Sequence, residues 1–380
     1  MRRFLLMPIL VAASFFAQAQ NIGSVPEVIT IPVVVHVLYN NTQQNISDAQ
    51  IFSQLDVLNR DYRGTNTDKS KTPAYFAGFA ADCGFEFRLA KQDPNGLATT
   101  GIIRKYTTIQ YFSNDDRAKS AANGGDAAWN RDRYLNIWVC NLTGGVLGYT
   151  STVGCAAEKD GVVISYAAFG TTGTAAAPFN LGRTATHEVG HWLNLRHLWG
   201  DTYCGDDNVD DTPQQRASNR GLPTGERFTC GSTAHGDMYM NFMDLTDDAG
   251  MNLFTSGQRQ RMRALFAAGG ARQALLSSPA LQLSSLVKAV APVSASVSET
   301  VVPVTSITLY PNPASESIIV DINTKEAVSG KMVIFSAAGQ PVITQPFSSN
   351  HTVIQIGQLP AGVYYLKQSS TGSFIKFIKR

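Results

Sequence analysis

The chain has 380 residues, of which 44% are hydrophobic and 16% are charged, and its formal net charge is +2. This length allows two or three domains, and this composition excludes a chain that is disordered throughout. The small net charge gives no electrostatic basis for binding nucleic acid or an anionic surface, so neither is expected as a partner.

The first nineteen residues have the pattern of a secretory signal peptide. Arg2 and Arg3 are basic, residues 4–16 form an apolar stretch too short to span a membrane, and residues 17–19 form a small-residue cleavage site. The mature chain is expected to begin at Gln20, and no transmembrane segment follows. We therefore expect a secreted or cell-surface protein.

Several strands and one helix are predicted before position 182. Residues 28–39 are β-branched and aromatic, which favours a buried strand in which His36 is a satisfied core residue. Ser47, with Gln50 three positions later, predicts a helix start, and apolar residues continue at helical spacing to about Arg63. Further strands are predicted at residues 85–91, 134–142, 147–152 and 161–169.

A second predicted helix, starting near Gly182, carries the chemistry. His187 and His191 are four residues apart, so both imidazoles project from one face and can reach one zinc ion. Glu188 is placed to hold the zinc-bound water as general base rather than to bind the metal. Asn194 tolerates the left-handed conformation that would end the helix, and His197 can then return as third ligand.

Three protein ligands with an open fourth position are typical of a catalytic zinc site. The alternative is three surface histidines that share no ligand. A third histidine at this distance makes a chance occurrence of the motif improbable, so one catalytic Zn²⁺ is the cofactor we expect.

The stretch HEVGHWLNLRH resembles the HExxHxxGxxH signature of the metzincin zinc endopeptidases. Metzincins also share a methionine-containing turn beneath the metal, for which residues 239–244 (YMNFMD) with Met243 are the candidate. The longer stretches HEVGHWLNLRHLWGD and MNFMDLTDDAGMN resemble the pappalysin family, in particular its bacterial ulilysin-like and cytophagalysin-like members. Asn194 replaces the usual glycine, and Leu245 stands where relatives often carry a tyrosine that assists the transition state.

This resemblance implies an α+β fold. Residues 20–269 would form a metzincin-type catalytic domain made of a twisted mixed sheet and an active-site helix. It implies that residues 147–152 form an antiparallel rim strand to which extended substrate pairs. It also implies that the segment after the methionine turn walls the pocket for the residue after the scissile bond. Asp248 would then select a basic residue there.

The loop after His197 is acidic. Clustered carboxylates with hydroxyl groups suit Ca²⁺, although the loop lacks the spacing of an EF-hand, and a solvated acidic loop is the alternative. Resemblance to calcium-bearing pappalysins favours a structural Ca²⁺ held by Asp207, Asp210 and Thr212.

Five cysteines in an exported chain allow disulfides and leave at least one thiol unpaired. Cys204 and Cys230 bracket the loop after the zinc helix, and Cys140 and Cys155 bracket a short hairpin-like segment, so these two pairs are predicted. Cys83 is then expected to be a free, buried residue.

The last part of the chain is expected to be a separate module. A helix is predicted from the cap at Thr255 to about Phe266, with its arginines solvated, and residues 270–305 are predicted to be a linker. Residues 306–380 contain six or seven short alternating runs separated by turn residues, which predicts a small all-β sandwich.

The stretches LYPNPASE, LPAGVYYLK and KFIKR in this module resemble the C-terminal sorting domain of type IX secretion cargo. That resemblance implies the type IX secretion machinery as a partner. An adhesion or carbohydrate-binding sandwich is the alternative.

These features predict a secreted, monomeric zinc endopeptidase that hydrolyses protein or peptide substrates with a water activated by Glu188. Two other hypotheses are a surface adhesion protein with a degenerate protease fold and a zinc hydrolase of small amides. The intact histidines and Glu188 favour an active enzyme over the first, and the rim strand favours extended peptides over the second.

Overall fold

The computed structural model describes residues 27–231, 235–282, 306–323, 330–336, 341–347, 349–368 and 374–380. The chain forms two compact units, with the boundary after Val287. The predicted signal peptide and most of the predicted linker lie outside the described residues. No helix in the described ranges has the length and hydrophobicity needed to cross a membrane.

The first unit is built on one mixed, six-stranded sheet. Its strands run in the order β2-β1-β4-β6-β5, and β3 pairs with the second half of β1. All neighbours are parallel except β5, which is antiparallel to β6 and forms one edge of the sheet. The bounds are Ile29–Tyr39 for β1, Phe85–Leu89 for β2, Ile102–Tyr106 for β3, Leu135–Cys140 for β4, Gly148–Thr150 for β5 and Val162–Ser165 for β6.

Four α-helices belong to this unit: α1 (Asp48–Tyr62), α2 (Ala74–Ala77), α3 (Arg183–Trp192) and α4 (Ser256–Ala264). The predicted cap of α1 is present, since the Ser47 side chain accepts a hydrogen bond from the Gln50 N–H. Helices α1 and α3 are joined by a hydrogen bond from the Tyr62 hydroxyl to the Thr186 carbonyl, at 2.9 Å. This contact sets the position of α3.

The structure corrects the predicted start of the linker. Arg272 is 3% exposed, its guanidinium pairs with both oxygens of the buried Asp160 carboxylate at 3.0 and 3.2 Å, and it stacks on Trp192. Leu275 lies in the main core of the first unit. Residues 270–282 therefore belong to the first unit. Arg272 pairs with Asp160 and stacks on Trp192 at the end of α3, and Leu275 packs in the core.

One of the two predicted disulfides is present. Cys204 and Cys230 are bonded, with their Cα atoms 5.8 Å apart. The pairing of Cys140 with Cys155 is wrong, since both thiols are free. Cys140 is fully buried at the end of β4, in an apolar cluster with Trp138 and Val163, whereas Cys155 is partly exposed in a loop. Cys83 is free and buried, as expected.

The second unit contains two antiparallel sheets. One has the strand order β10-β9-β12-β13 and the other β11-β8-β7. Buried side chains from both sheets form one core, which makes the unit a sandwich and agrees with the predicted fold. The bounds are Ser306–Tyr310 for β7, Ser317–Asn323 for β8, Gly330–Ser336 for β9, Pro341–Phe347 for β10, His351–Gln355 for β11, Gly362–Gln368 for β12 and Phe374–Lys379 for β13.

Candidate active site

The end of α3 brings the third histidine back towards the first two. Asn194 follows the helix with φ +73°, the left-handed conformation expected from the sequence. Arg261 on α4 donates a hydrogen bond from Nε to the Asn194 carbonyl at 2.6 Å. The expectation that Arg261 is solvated is therefore wrong, because the turn after α3 supplies a carbonyl within its reach.

Three imidazole nitrogens converge on one point. The Nε2 atom of His191 lies 3.0 Å from Nε2 of His187 and 3.1 Å from Nε2 of His197, and the remaining pair is 3.2 Å apart. Each Nδ1 atom has its own acceptor, so each proton belongs on Nδ1 and each Nε2 lone pair is free. The three acceptors are the backbone carbonyls of Phe242 and Leu195 and the carboxylate of Asp201.

This arrangement fits a zinc ion. Nitrogen ligands at 2.0–2.1 Å in a tetrahedron lie about 3.3 Å apart, close to the separations found here. The lone pairs of the three Nε2 atoms repel one another when no proton lies between them. A cation bound by all three nitrogens removes this repulsion. In the described parts of the chain, no other set of three or more His, Cys, Asp or Glu side chains brings its ligand atoms within 4.8 Å of one another.

Glu188 lies beside the histidines. Its side chain is 8% exposed, and it lines both of the cavities that His187 also lines. Burial raises the pKa of the Glu188 carboxyl to about 8, and the positive charge of Lys119 opposes this shift. A carboxyl group with a pKa near neutrality suits a residue that accepts and returns a proton.

Strand β5 passes directly over Glu188. A Cβ atom at Gly148 would lie 2.9 Å from the Glu188 Cγ atom and 3.1 Å from side chains of Ile164 and Thr184. The strand also lines both cavities, with its outer edge unpaired in the sheet order. The backbone therefore approaches Glu188 so closely that only glycine fits at position 148.

We expect Gly148→Ala to lower kcat/KM for peptide cleavage by about 10-fold to 100-fold, since a misplaced catalytic group costs about this much. Zinc content should remain that of the wild type, because the three atoms nearest to a Cβ at position 148 belong to Glu188, Ile164 and Thr184 and not to a histidine. Gly78→Ala is the control, since a Cβ there meets no atom within 4 Å and, as at Gly148, the backbone is not in the left-handed region. Equal activities of the two variants would contradict the close approach.

Met243 lies beneath the helix. It is fully buried, and its sulfur would lie 2.5 Å from a Cβ atom at Gly190, which shows how closely the turn packs on α3. Asn241 accepts a hydrogen bond from the Met243 N–H at 2.9 Å and so holds the turn. Met243 therefore packs its sulfur against Gly190, on the helix that carries His187 and His191.

Asp248 is located at the cavity that also contains His187 and Glu188. It is 1% exposed, and one carboxylate oxygen accepts hydrogen bonds from the N–H groups of Leu181 and Arg183, at 2.7 and 3.2 Å. Burial raises the pKa of this carboxyl group above its usual range, and the backbone hydrogen bonds oppose the rise. Asp248 therefore anchors the start of α3 as well as facing the cavity, and the sequence did not indicate the first role.

The acidic loop has several roles. Asp207 is buried, and its carboxylate accepts a hydrogen bond from the Thr212 hydroxyl, whereas Asp210 is exposed. Asp211 accepts hydrogen bonds from the Thr255 hydroxyl and the Gly257 N–H and so supports the start of α4. Asp201 contacts His197, a role that its place in the acidic loop does not indicate.

A histidine triad with an adjacent glutamate, a methionine turn and an antiparallel edge strand over the cleft define a metzincin-type metallopeptidase. The family described as pregnancy-associated plasma protein-A matches residues 119–267, and a secretion system C-terminal sorting domain matches residues 308–380. The chain belongs to this pappalysin family of metallopeptidases and carries a type IX sorting domain. These matches confirm the predicted family, fold class and secreted or cell-surface location.

Known proteins are similar to this chain over a stretch about as long as the first unit. An extracellular metalloprotease of Pyricularia oryzae is 33% identical over 257 residues, which cover 63% of this chain and 75% of that protein. Extracellular metalloprotease 1 of Coccidioides posadasii is 37% identical over 248 residues, which cover 63% and 77%. The structure of mature mirolysin from Tannerella forsythia, in complex with a cleaved peptide, is 50% identical with a TM-score of 0.66 and covers 68% of this chain and 98% of mirolysin. The protein is therefore a secreted metalloendopeptidase.

Proposed function

We propose that His187, His191 and His197 hold one catalytic zinc ion and that Glu188 is the general base of peptide hydrolysis. The observation that carries this proposal is the convergence of three imidazole Nε2 atoms beside a buried carboxylate. Zinc, when bound, supplies Lewis-acid polarisation of the scissile carbonyl and lowers the pKa of a water molecule.

Glu188 accepts the proton of the attacking water and then donates it to the leaving amine. The burial of Glu188 favours these two proton transfers, because a carboxyl group with a raised pKa retains the proton after taking it from water and before giving it to the amine. Leu245 lines the cleft where relatives often carry a tyrosine, so an oxyanion contact from this position is absent from the proposed mechanism.

The substrate is proposed to bind in an extended conformation along β5. Edge strands present free backbone N–H and C=O groups, and a peptide that pairs with them passes over Glu188. This mode of binding favours an endopeptidase that acts on unfolded or extended segments over a hydrolase of small amides.

The residue after the scissile bond is proposed to be basic. Asp248 carries the carboxylate at the cavity next to Glu188, and burial strengthens its interaction with a cationic side chain. Arg220 at the same cavity is exposed to solvent, where its charge is screened. Arg183 also lines this cavity, but its guanidinium is paired with the carboxylates of Asp61 and Asp68.

Peptides that differ only at this position test the preference. We expect kcat/KM for Arg or Lys to exceed that for Leu by about 10-fold to 100-fold, the effect of a charge-assisted hydrogen bond of about 1.5–3 kcal/mol. A peptide with Glu at this position should be cleaved more slowly than the Leu peptide. Equal rates for Arg, Leu and Glu would contradict the role of Asp248.

We further propose that the acidic loop binds a structural Ca²⁺ through Asp207, Asp210 and Thr212. The buried Asp207 carboxylate and the Thr212 hydroxyl already lie 2.8–2.9 Å apart, which brings two oxygen ligands together. Micromolar to millimolar Ca²⁺ should raise the Tm of the calcium-depleted protein, and Asp207→Asn should remove this rise.

The catalytic unit is proposed to act as a monomer, and the sorting domain is proposed to engage the type IX secretion machinery.

An adhesion protein with a degenerate protease fold is the second candidate. It predicts zinc binding without hydrolysis, whereas the proposed function predicts both. Hydrolysis of denatured casein that a chelator abolishes and added zinc restores separates the two.

A further inference from the structure

The third histidine is held differently from the other two. His187 and His191 lie on α3, and each donates its Nδ1–H to a backbone carbonyl, at 2.8 and 2.9 Å. His197 lies beyond the end of the helix, and its side chain is 22% exposed. Its Nδ1 contacts a carboxylate oxygen of Asp201, four residues later. The third imidazole is thus the one that a side chain, rather than the main chain, orients.

The segment after His197 is folded back as a tight turn. The Gly200 N–H donates to the His197 carbonyl at 2.9 Å, and both Gly200 and Asp201 have positive φ, at +57° and +60°. Asp is one of the few residues other than glycine that tolerates this conformation. The turn places the Asp201 carboxylate beside the ring of His197.

Trp199 covers the face of the same ring. The centroids of the Trp199 and His197 rings are 4.3 Å apart, and the two planes differ by 7°. Such stacking restricts rotation of the imidazole about its side-chain bonds. Asp201 and Trp199 therefore act on the same imidazole, one at its edge and one on its face.

We propose that Trp199 and Asp201 form a clamp on His197 that determines how tightly the site holds zinc. Asp201 accepts the Nδ1 proton, which keeps the Nε2 lone pair directed at the metal, and its full charge makes the imidazole a stronger donor than a carbonyl partner would. Trp199 limits the orientations of the ring. Both are positioning residues, and the inference rests on the proposed zinc site.

Zinc affinity of the metal-free protein measures this role directly. Wild type, Asp201→Ala, Asp201→Asn and Trp199→Ala are stripped with a chelator and titrated with zinc in competition with a chromogenic chelator of known affinity. We expect Asp201→Ala to weaken zinc binding by about 10-fold to 100-fold. Asp201→Asn should lose less zinc affinity than Asp201→Ala, because its amide oxygen still accepts the Nδ1 proton of His197 but carries no full charge. Trp199→Ala should also bind zinc more weakly than the wild type.

Asp132→Asn is the matched control, since it removes one exposed carboxylate from the same unit and should leave the zinc Kd unchanged. The Tm of each metal-free variant separates folding from metal affinity, because a purely structural role would lower this Tm and leave the Kd of the folded protein at the wild-type value. If Asp201→Ala does not fold, Asp201→Asn must still bind zinc several-fold more weakly than the control.

The outcomes distinguish the clamp from the metal site itself. A wild-type protein that binds no zinc would overturn the proposed function. A wild type that binds one zinc, with every Asp201 variant within two-fold of its Kd, would overturn only the clamp.

Discussion

Replacing Glu188 with Gln is expected to lower kcat/KM for a peptide substrate by at least about 10²-fold to 10⁴-fold, the usual contribution of a general base. Glutamine keeps the shape of the side chain, so the buried site should not collapse, but it cannot accept a proton from water. Initial rates on a fluorogenic peptide at pH 7.5, with zinc content measured on the same samples, give the result.

Glu158→Gln is the control for this prediction, since Glu158 is exposed on the same unit and should retain wild-type activity. The zinc content of both variants should equal that of the wild type, because Glu188 is not a ligand in this account. A Glu188→Gln protein that keeps more than a tenth of the wild-type activity would show that another group acts as base.

The second large effect is expected from the ion pair at the end of α3. Arg272→Met removes the partner of the buried Asp160 carboxylate, and breaking such a pair destabilises proteins by about 3–5 kcal/mol. It also removes the donor to the Trp192 carbonyl and the stacking on its ring. Urea denaturation followed by tryptophan fluorescence measures this loss in the first unit alone, because the chain's 4 tryptophans, Trp129, Trp138, Trp192 and Trp199, all lie there.

Arg88→Met provides the comparison, because the Arg88 side chain is 65% exposed and its pair with Glu86 should contribute no more than about 1 kcal/mol. Adding Asp160→Asn to Arg272→Met should restore part of the lost stability, since the uncompensated buried charge is then gone. If Arg272→Met and Arg88→Met unfold at the same urea concentration, the buried Arg272–Asp160 pair does not stabilise the first unit.

Local signals in the sequence were sufficient to predict α3 and the turn that ends it. The four-residue spacing of His187 and His191 depends only on helix geometry, and Asn194 ends the helix in the conformation expected from its side chain. The cap at Ser47 and the capping box at Thr255 and Gln258 are equally local and were also predictable. In each case neighbouring residues along the chain determine the structure.

Features that depend on distant parts of the chain were missed. Strand β3 is only partly buried and lacks a clear alternation, so its pairing with β1 could not be read from its own residues. Arg272 reads as part of a linker until Asp160, more than a hundred residues earlier, is placed beside it. Cys140 reads as half of a disulfide because sequence spacing does not show that its thiol faces an apolar cluster.

The role of Asp201 was hidden for a different reason. Its contact with His197 is local, but it lies in a run of acidic residues that share the same composition and offer the same possible ligand atoms. Only the left-handed turn at Gly200 and Asp201 distinguishes this carboxylate from its neighbours. Residue types alone do not show which of several neighbouring carboxylates points towards His197.

Metal analysis of the purified protein shows whether three imidazoles hold one zinc ion, as proposed. Inductively coupled plasma mass spectrometry should find one zinc per chain in the wild type and in Glu188→Gln, and less than a tenth of this in a variant with His187, His191 and His197 all changed to Ala. A wild type without stoichiometric zinc, or a triple variant that still holds one zinc per chain, would contradict the account.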